Sequence, residues 1–565
     1  NDQDRPRLDI PILANILPPD TLGPEFSDLQ ITSGDVRLKQ FFSVDAELVD
    51  ANKVEVALFY FLQGGDTTFT VYPMETEDGI KYNFVSAPAD VPMTGIAFYV
   101  LAQDERGNFS VSDTISPPVN FREEDLKTTL VHSAYPDGIP KKLWRLISVP
   151  AGLNEPDVVG TLADDFDGKP NSRKWRIFES GSNSSSSSWI QPESIEPGKG
   201  YWLIQNVHEK RHVSTGSGKT IPLTGFDLTL EPGWNLIGSP YTFPVAPVFD
   251  SNSFYGPLSY GEEGEGWNAS DTLHPWGGYV VYNKADSPVD LAIEPLERYS
   301  EESQLNRLKR SHEVGEWNLR LAATGRKYSD SDNFIGRTVG AEEGMDKFDN
   351  PEPPYPEQFM SLVLKSTSNT GEPVIVTSDI RSVHERNGIW DGEIRIKGEK
   401  GPVTVSTDLA GSFPEDDIIL LLDMTTRDQY YLLNEGTFDI SKYSEDFPYR
   451  FKVFVGSPTF VAAALAEALA LLPEDFALRQ NYPNPFNPST TIEFTLPQPS
   501  DVSLVIYNLM GQEVRTLKQK MMDTGRHTIQ WHGKNNRGEM VSSGVYFVRF
   551  YSGEFTASRK MVLMK

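Results

Sequence analysis

Three short patterns in this sequence have the spacing of reactive sites. His208-Glu209-Lys210-Arg211-His212 fits H-E-x-x-H. On a helix, positions i and i+4 would aim both imidazoles at one zinc ion while the glutamate activates water. Here the strand-like Tyr201-Trp202-Leu203-Ile204 leads in, and Ser214-Thr215-Gly216-Ser217-Gly218 follows at once. The segment therefore reads as a polar hairpin connection and a chance match. Gly216-Ser217-Gly218-Lys219-Thr220 has the tail of a phosphate loop, but Val213 stands where the pattern wants glycine, and no long helix follows. Asp523-Thr524-Gly525 echoes aspartic proteases without the second copy they need.

Acidic clusters suit calcium, which takes oxygen ligands. The candidates are Asp164, Asp165 and Asp167 before Gly168, then Asp330, Asp332 and Asn333, then Asp346 and Asp349. None completes an EF-hand loop, and solvated surface charge is the simpler reading. Tryptophans 144, 175, 189, 202, 234, 267 and 276 crowd one region. Exposed indoles stack on sugar rings, whereas buried ones fill cores. Most of these match across an internal repeat and read as core. Trp189 and Trp276 lack a counterpart and are the candidates for glycan contact.

Composition narrows the field further. The 565 residues hold 51 Lys and Arg against 80 Asp and Glu, a net charge of −29. Such a polyanion repels nucleic-acid phosphate, and its copies repel each other, so any self-association is expected to strengthen with salt or divalent cations. Cysteine is absent, which removes disulfides, thiolate metal sites and thiol nucleophiles together. No run approaches the roughly 18 apolar residues of a membrane span. Asn1 to Arg7 are polar and lack the plan of a signal peptide, which suits either a cytosolic protein or a processed chain.

The elements that would carry these residues are strands. Short β-branched and aromatic runs alternate with turns, with 44 Gly and 41 Pro spread throughout. The expected fold class is all-β: a multidomain string of β-sandwich modules of immunoglobulin or fibronectin type. Residues 1–24, rich in proline, form an extended lead-in. Residues 25–122 form a first sandwich, and the strand Ile96 to Ala102 closed by Asp104 to Asn108 resembles fibronectin type III-like modules of bacterial secreted proteins. Residues 123–300 are internally duplicated. Trp144-Arg145-Leu146-Ile147-Ser148-Val149-Pro150 matches Trp234-Asn235-Leu236-Ile237-Gly238-Ser239-Pro240, and Pro197-Gly198-Lys199-Gly200-Tyr201 matches Pro275-Trp276-Gly277-Gly278-Tyr279. The equivalent of the His208 segment in the second copy is Asn283 to Pro288, a plain turn. The Ser184–Ser188 tract reads as a solvated loop tip. Residues 301–312 are a polar linker, and 313–458 a further β-sandwich. Residues 459–472 are a short Ala/Leu-rich helix, apolar on nearly every face and expected to dock on its neighbours.

The last module, residues 473–565, carries four motifs in order: Asn481-Tyr482-Pro483-Asn484-Pro485-Phe486-Asn487-Pro488, the strand-turn Val505 to Gly511, Gly544-Val545-Tyr546-Phe547, and Lys560-Met561-Val562-Leu563. In these it resembles the type A C-terminal sorting domain of the type IX secretion system. The resemblance implies a small immunoglobulin-like sandwich, related to that of flagellar hook-capping proteins. It also implies export across the outer membrane of a Gram-negative cell, with Asn481 to Pro488, Gly511, Gly544, Tyr546 and Lys560 as the sorting signal. The prolines hold an extended approach and block helix.

The expected protein is thus non-catalytic, secreted or on the outer cell surface, and structural or adhesive, such as a filament or matrix subunit. Its expected partners are the type IX machinery and either further copies of itself or surface glycans, with no nucleic acid. No cofactor is expected beyond calcium. The alternative is a carbohydrate-binding accessory of extracellular polysaccharide breakdown.

Overall fold

The computed structural model describes residues 21–180, 189–247, 249, 253–261, 266–295, 316–355, 357–368, 371–399, 401–433, 436–440 and 447–564. Most of the lead-in, the serine tract and the 301–312 linker lie outside these residues. The chain is all-β, arranged as successive β units with a helix, Pro458–Leu471, ahead of the last one. Among the described residues no helix is long and apolar enough to cross a membrane.

The first unit pairs Glu25–Ile31, Ser43–Val49, Lys81–Val85 and Glu75–Thr76 in one sheet, and Thr70–Pro73, Val54–Gln63, Ile96–Asp104 and Phe109–Val111 in another. Alternation explains the layering: Val44, Ala46 and Leu48 point inward and their neighbours outward. Phe42, Phe59, Phe61, Phe84 and Phe98 fill the space between the sheets, with Phe59 stacked on Phe84 at 3.9 Å between ring centres.

The repeat is visible in the pairing. Arg145–Ser148, Gly200–Gln205, Trp175–Ser180 and Trp189–Ile190 lie side by side in that order. The second copy places Gly233–Gly238, Gly278–Asn283, Phe254–Tyr260 and Trp267–Ala269 in the same order. The copies also grip each other reciprocally. The Ser148 amide donates to the Trp276 carbonyl at 3.0 Å, and its equivalent, the Gly238 amide, donates to the Gly198 carbonyl at 2.9 Å. Ile147 bridges to Gly277 as Ile237 bridges to Lys199. This is the self-complementary contact of a two-fold dimer, built within one chain.

Residues 317–456 depart from the expected pair of sheets. Eleven strands join one continuous sheet that begins at Gln429–Tyr431 and ends at Thr437–Ile440. It curls until Tyr430 of the first stacks on Phe438 of the last at 4.0 Å. Leu319, Leu321, Leu362, Trp390, Ile394 and Val453 fill the interior. Alternation tells which side chains face inward; it does not tell whether the strands make one rolled sheet or two flat ones.

The helix docks as expected. Ser457 Oγ caps it by accepting from the Phe460 amide at 3.3 Å, and Pro458 opens the first turn. Val461 and Ala468 are buried against Leu420, Leu422 and Phe454 on the outside of the rolled sheet. The last unit is a sandwich of Ala477–Leu478, Thr490–Leu496 and Gly525–Trp531 against Glu513–Met522, Ser500–Asn508, Gly544–Ser552 and Phe555–Leu563.

Candidate functional site

In the C-terminal sandwich the segment 481–488 is bound to the last strand. The Phe486 amide donates to the Val562 carbonyl and the Met564 amide returns a bond to the Phe486 carbonyl, both at 2.9 Å. Asn484 accepts from the Val562 amide at 2.9 Å, and its Nδ2 donates to the Lys560 carbonyl at 3.0 Å. Gln480 donates to the same carbonyl at 2.8 Å. Asn481, 2% exposed, donates to Thr490 Oγ1 at 2.8 Å and to the Pro483 carbonyl at 3.2 Å. The Phe486 ring is buried on Trp531, 5.4 Å between centres. The first and last of the four motifs thus meet along the final strand.

The other motif residues divide. Gly511 sits at φ +75° in the turn that Asn508 caps, a conformation that favours glycine. Tyr546 is buried and its hydroxyl donates to the Ser542 carbonyl at 2.7 Å. Gly544 has open space where a Cβ would stand. Tyr482 is 81% exposed, and Leu509 and Met510 are 70% and 79% exposed at the hairpin tip. Beside that tip lies an open cleft of about 710 Å³, lined among others by Asn535, Arg537 and Tyr546.

The sequence's reactive-looking patterns fall into plain β structure. His208 lies in a turn closed by Gln205, whose Oε1 accepts from the Val207 and His208 amides at 2.9 Å. Asn283 closes the matching turn of the second copy through Ala285 and Ser287. Lys210–Arg211 is a strand pairing with Ile139–Pro140, so the two imidazoles do not share a helix face. Gly218–Lys219 is a strand between Asn120–Phe121 and Gly152–Leu153. Asp523 forms an ion pair with Arg450 at 2.6 Å, joining the last sandwich to the rolled sheet.

Most of the calcium candidates accept hydrogen bonds from the protein itself. Asp330 accepts from the Leu362 amide at 2.8 Å, from Asn333 at 2.9 Å and from the Tyr355 hydroxyl at 3.3 Å. Asp349 accepts from the Ile380 and Asp346 amides at 2.7 and 2.9 Å, and Asp346 from the Phe348 and Glu342 amides at 2.7 and 2.8 Å. Asp332 is exposed. Among the described residues no group of three or more His, Asp or Glu is placed to hold a metal ion. Asp165 is likewise held by the Ser214 amide at 2.7 Å and Arg211 at 3.0 Å.

The glycan candidates fare unequally. Trp276 is 1% exposed and packs in the core of the first copy, although the second copy carries it. It had no counterpart because its equivalent is Gly198; both positions have positive φ, +68° and +78°. Trp189 is half-buried, edge-on to Trp202 at 6.3 Å. The repeat-matched Trp144, Trp175, Trp202 and Trp267 are buried.

Sequence reasoning missed one cluster. Where the second copy meets the rolled sheet, Trp267 and Tyr260 abut Tyr355 at 6.0 and 6.4 Å. Beneath them lie Asp330 and Glu352. Ser361 donates to Glu352 Oε1, while the buried Oε2 finds no hydrogen-bond partner among the described residues. Burial pushes the Asp330 carboxyl up to about 6. Burial, and then the neighbouring Asp330, push Glu352 well above the carboxylate range. A raised carboxyl pKa means the folded state holds its proton more tightly. Stability from that proton is full below about pH 4 and falls as pH rises through 6. Asp330→Asn, which cannot ionise, is expected to gain on the unmodified chain by on the order of 2–3 kcal/mol between pH 4 and 7.5. Paired urea melts at the two pH values check this; a constant difference refutes it.

No curated protein matches the chain. Among solved structures, the dimeric latent PorU of Porphyromonas gingivalis aligns at 9% identity over 96% of this chain and 34% of its own, with a TM-score of 0.14. The chain therefore spans about a third of that protein. A tetra-tandem repeat from the extending region of a large adhesion protein aligns at 9% identity, covering 93% and 96%, with a TM-score of 0.14. PorZ, a surface component of the type IX secretion system of P. gingivalis, aligns at 10% identity, covering 93% and 97%, with a TM-score of 0.13. Scores this low carry no argument. One family model matches a part of the chain: residues 486–553, within the C-terminal sandwich, are similar to the FlgD Ig-like domain.

Proposed function

We propose that this chain is a non-catalytic β-modular protein, exported by type IX secretion and acting outside the cell as a structural or adhesive subunit of a filament or matrix. The observation that carries the reading is the convergence in the last sandwich. Asn484 and Phe486 close on the strand that holds Lys560, and these residues belong to motifs of the sorting-domain resemblance. The immunoglobulin-like family match over residues 486–553 supports the fold that this resemblance implies. The string of β units, with separate apolar cores in the first unit, the rolled sheet and the last sandwich, suits a mechanical or adhesive role.

The test is export. The full chain and a version ending at Leu472 are expressed in a Gram-negative host with type IX machinery, and the cell surface and medium are assayed. The full chain is expected outside and the shortened one is expected to stay within the envelope. Equal export of both overturns the reading. Mass spectrometry of the exported C-terminus then tells whether the last sandwich is retained.

A further inference from the structure

Beyond Leu62 and Ala97, which pack on the core of the second copy, the outer face of the first unit's second sheet has no partner among the described residues. Its register sets Val71 beside Tyr60 and Tyr60 beside Tyr99, then Leu58 beside Leu101 and Leu101 beside Val111. Tyr60 and Tyr99 stack at 4.6 Å. Val71 and Val111 are 45% and 49% exposed. This is an apolar, aromatic surface with no charged side chain in those two rows. The unit around it is acidic: residues 25–122 hold 6 Lys and Arg against 15 Asp and Glu, a net −9.

The other end of the chain is its complement. Residues 473–565 hold 11 Lys and Arg against 8 Asp and Glu, a net +3 in a chain of −29. The outer face of its four-stranded sheet sets Tyr507 beside Phe547 and Phe547 beside Lys560, with Arg549 and Tyr551 further along the strand. Arg549 lies over the Tyr507 ring at 5.1 Å. Arg549 and Lys560 are exposed and the three aromatic residues are half-buried. Apolar rings thus stand on both faces, with negative charge around one and positive charge on the other.

We propose that these two faces bind each other between copies: the C-terminal sandwich of one molecule docks on the Tyr60–Tyr99 face of the next. Unlike surfaces that pair in this way leave one of each free, so the contact repeats and the product is an open chain of subunits. This deepens the filament reading above and rests on it. Charge complementarity fixes the choice of partner, because two copies of the acidic first unit would repel each other; a contact between unlike charges weakens with salt, contrary to the expectation from net charge alone.

Sedimentation velocity over a range of concentrations tests it with three full-length proteins. These are the unmodified chain, Tyr99→Glu/Leu101→Glu, and Arg549→Glu/Lys560→Glu. The unmodified chain is expected to form concentration-dependent oligomers and each variant to stay monomeric. An equimolar mixture of the variants has one good face of each kind, so it is expected to stop at dimers. That mixing result also shows that both variants are folded. If Arg549→Glu/Lys560→Glu still dimerises alone while Tyr99→Glu/Leu101→Glu does not, the first face pairs with itself and the proposal falls. Assembly that survives in both variants places the contact elsewhere and overturns it as well. An unmodified chain that is monomeric throughout overturns it too, while leaving export to be judged by the secretion assay. A monomer that self-associates only after residues 1–20 are deleted would assign the face to that segment instead.

Discussion

Phe486→Ala destabilises the C-terminal sandwich by about 3–5 kcal/mol, the usual cost of emptying a buried aromatic site. The ring is 2% exposed and lies on Trp531 in a cluster with Tyr546 and Leu563. Its backbone also ties the last strand through Val562 and Met564. A domain of this size holds about 5–15 kcal/mol in all, so the variant should open near the chain terminus well before the rest melts. Hydrogen exchange at the Met564 amide reads this directly, and proteolysis of residues 477–564 reads it globally. Tyr482→Ala, at an 81% exposed side chain, should change stability by less than about 0.5 kcal/mol. The pair of variants separates two roles for one motif. If Tyr482→Ala impairs export at full stability, the motif is read at its surface; if only Phe486→Ala does, the motif serves by holding the fold.

Trp276→Ala should cost the duplicated region about 3–5 kcal/mol, and the loss should be felt in the copy that does not carry the residue. The indole packs with Phe166, Trp175, Tyr201 and Leu203 of the first copy, and its N–H finds no partner among the described residues. Packing alone holds it. The backbone adds a signature. At φ +68° a side chain is disfavoured and glycine is not, by roughly 1–2 kcal/mol. Trp276→Gly should therefore be more stable than Trp276→Ala by about 1 kcal/mol, the reverse of the order expected in ordinary strand backbone. Chemical denaturation of the three proteins, followed by tryptophan fluorescence, checks both statements. A Trp276→Ala change below about 1 kcal/mol, or the ordinary order of Ala and Gly, would contradict this account of the core.

These cases show where sequence pattern stops. The duplication was legible because Trp144 to Pro150 and Trp234 to Pro240 preserve residue types at matching places, and strand order follows from such identity. The partner of Trp276 was not legible. A tryptophan standing where the other copy has glycine looks like an exposed addition, and only the reciprocal contact reveals that it fills the neighbour's core. The acidic clusters were legible only in part for a related reason: the sequence displays carboxylates but hides the amides of Leu362 and Ile380 that donate to Asp330 and Asp349. The motif residues of the last sandwich were legible as a set, yet their spacing does not say that Gln480 and Asn484 share one carbonyl at Lys560. Glu352 gave no signal, since a lone glutamate in a proline-rich stretch looks solvated.

The rolled sheet bears on a hazard that any β protein meets at high local concentration. An open sheet of eleven strands would end in two rows of unpaired amides and carbonyls, ready to template aggregation. In this sheet the terminal strands, Gln429–Tyr431 and Thr437–Ile440, are only three and four residues long. Tyr430 and Phe438 turn them toward each other. The largest sheet among the described residues thus offers little edge to a passing chain. Any contact between copies would then fall to side-chain faces, which can be chosen one residue at a time.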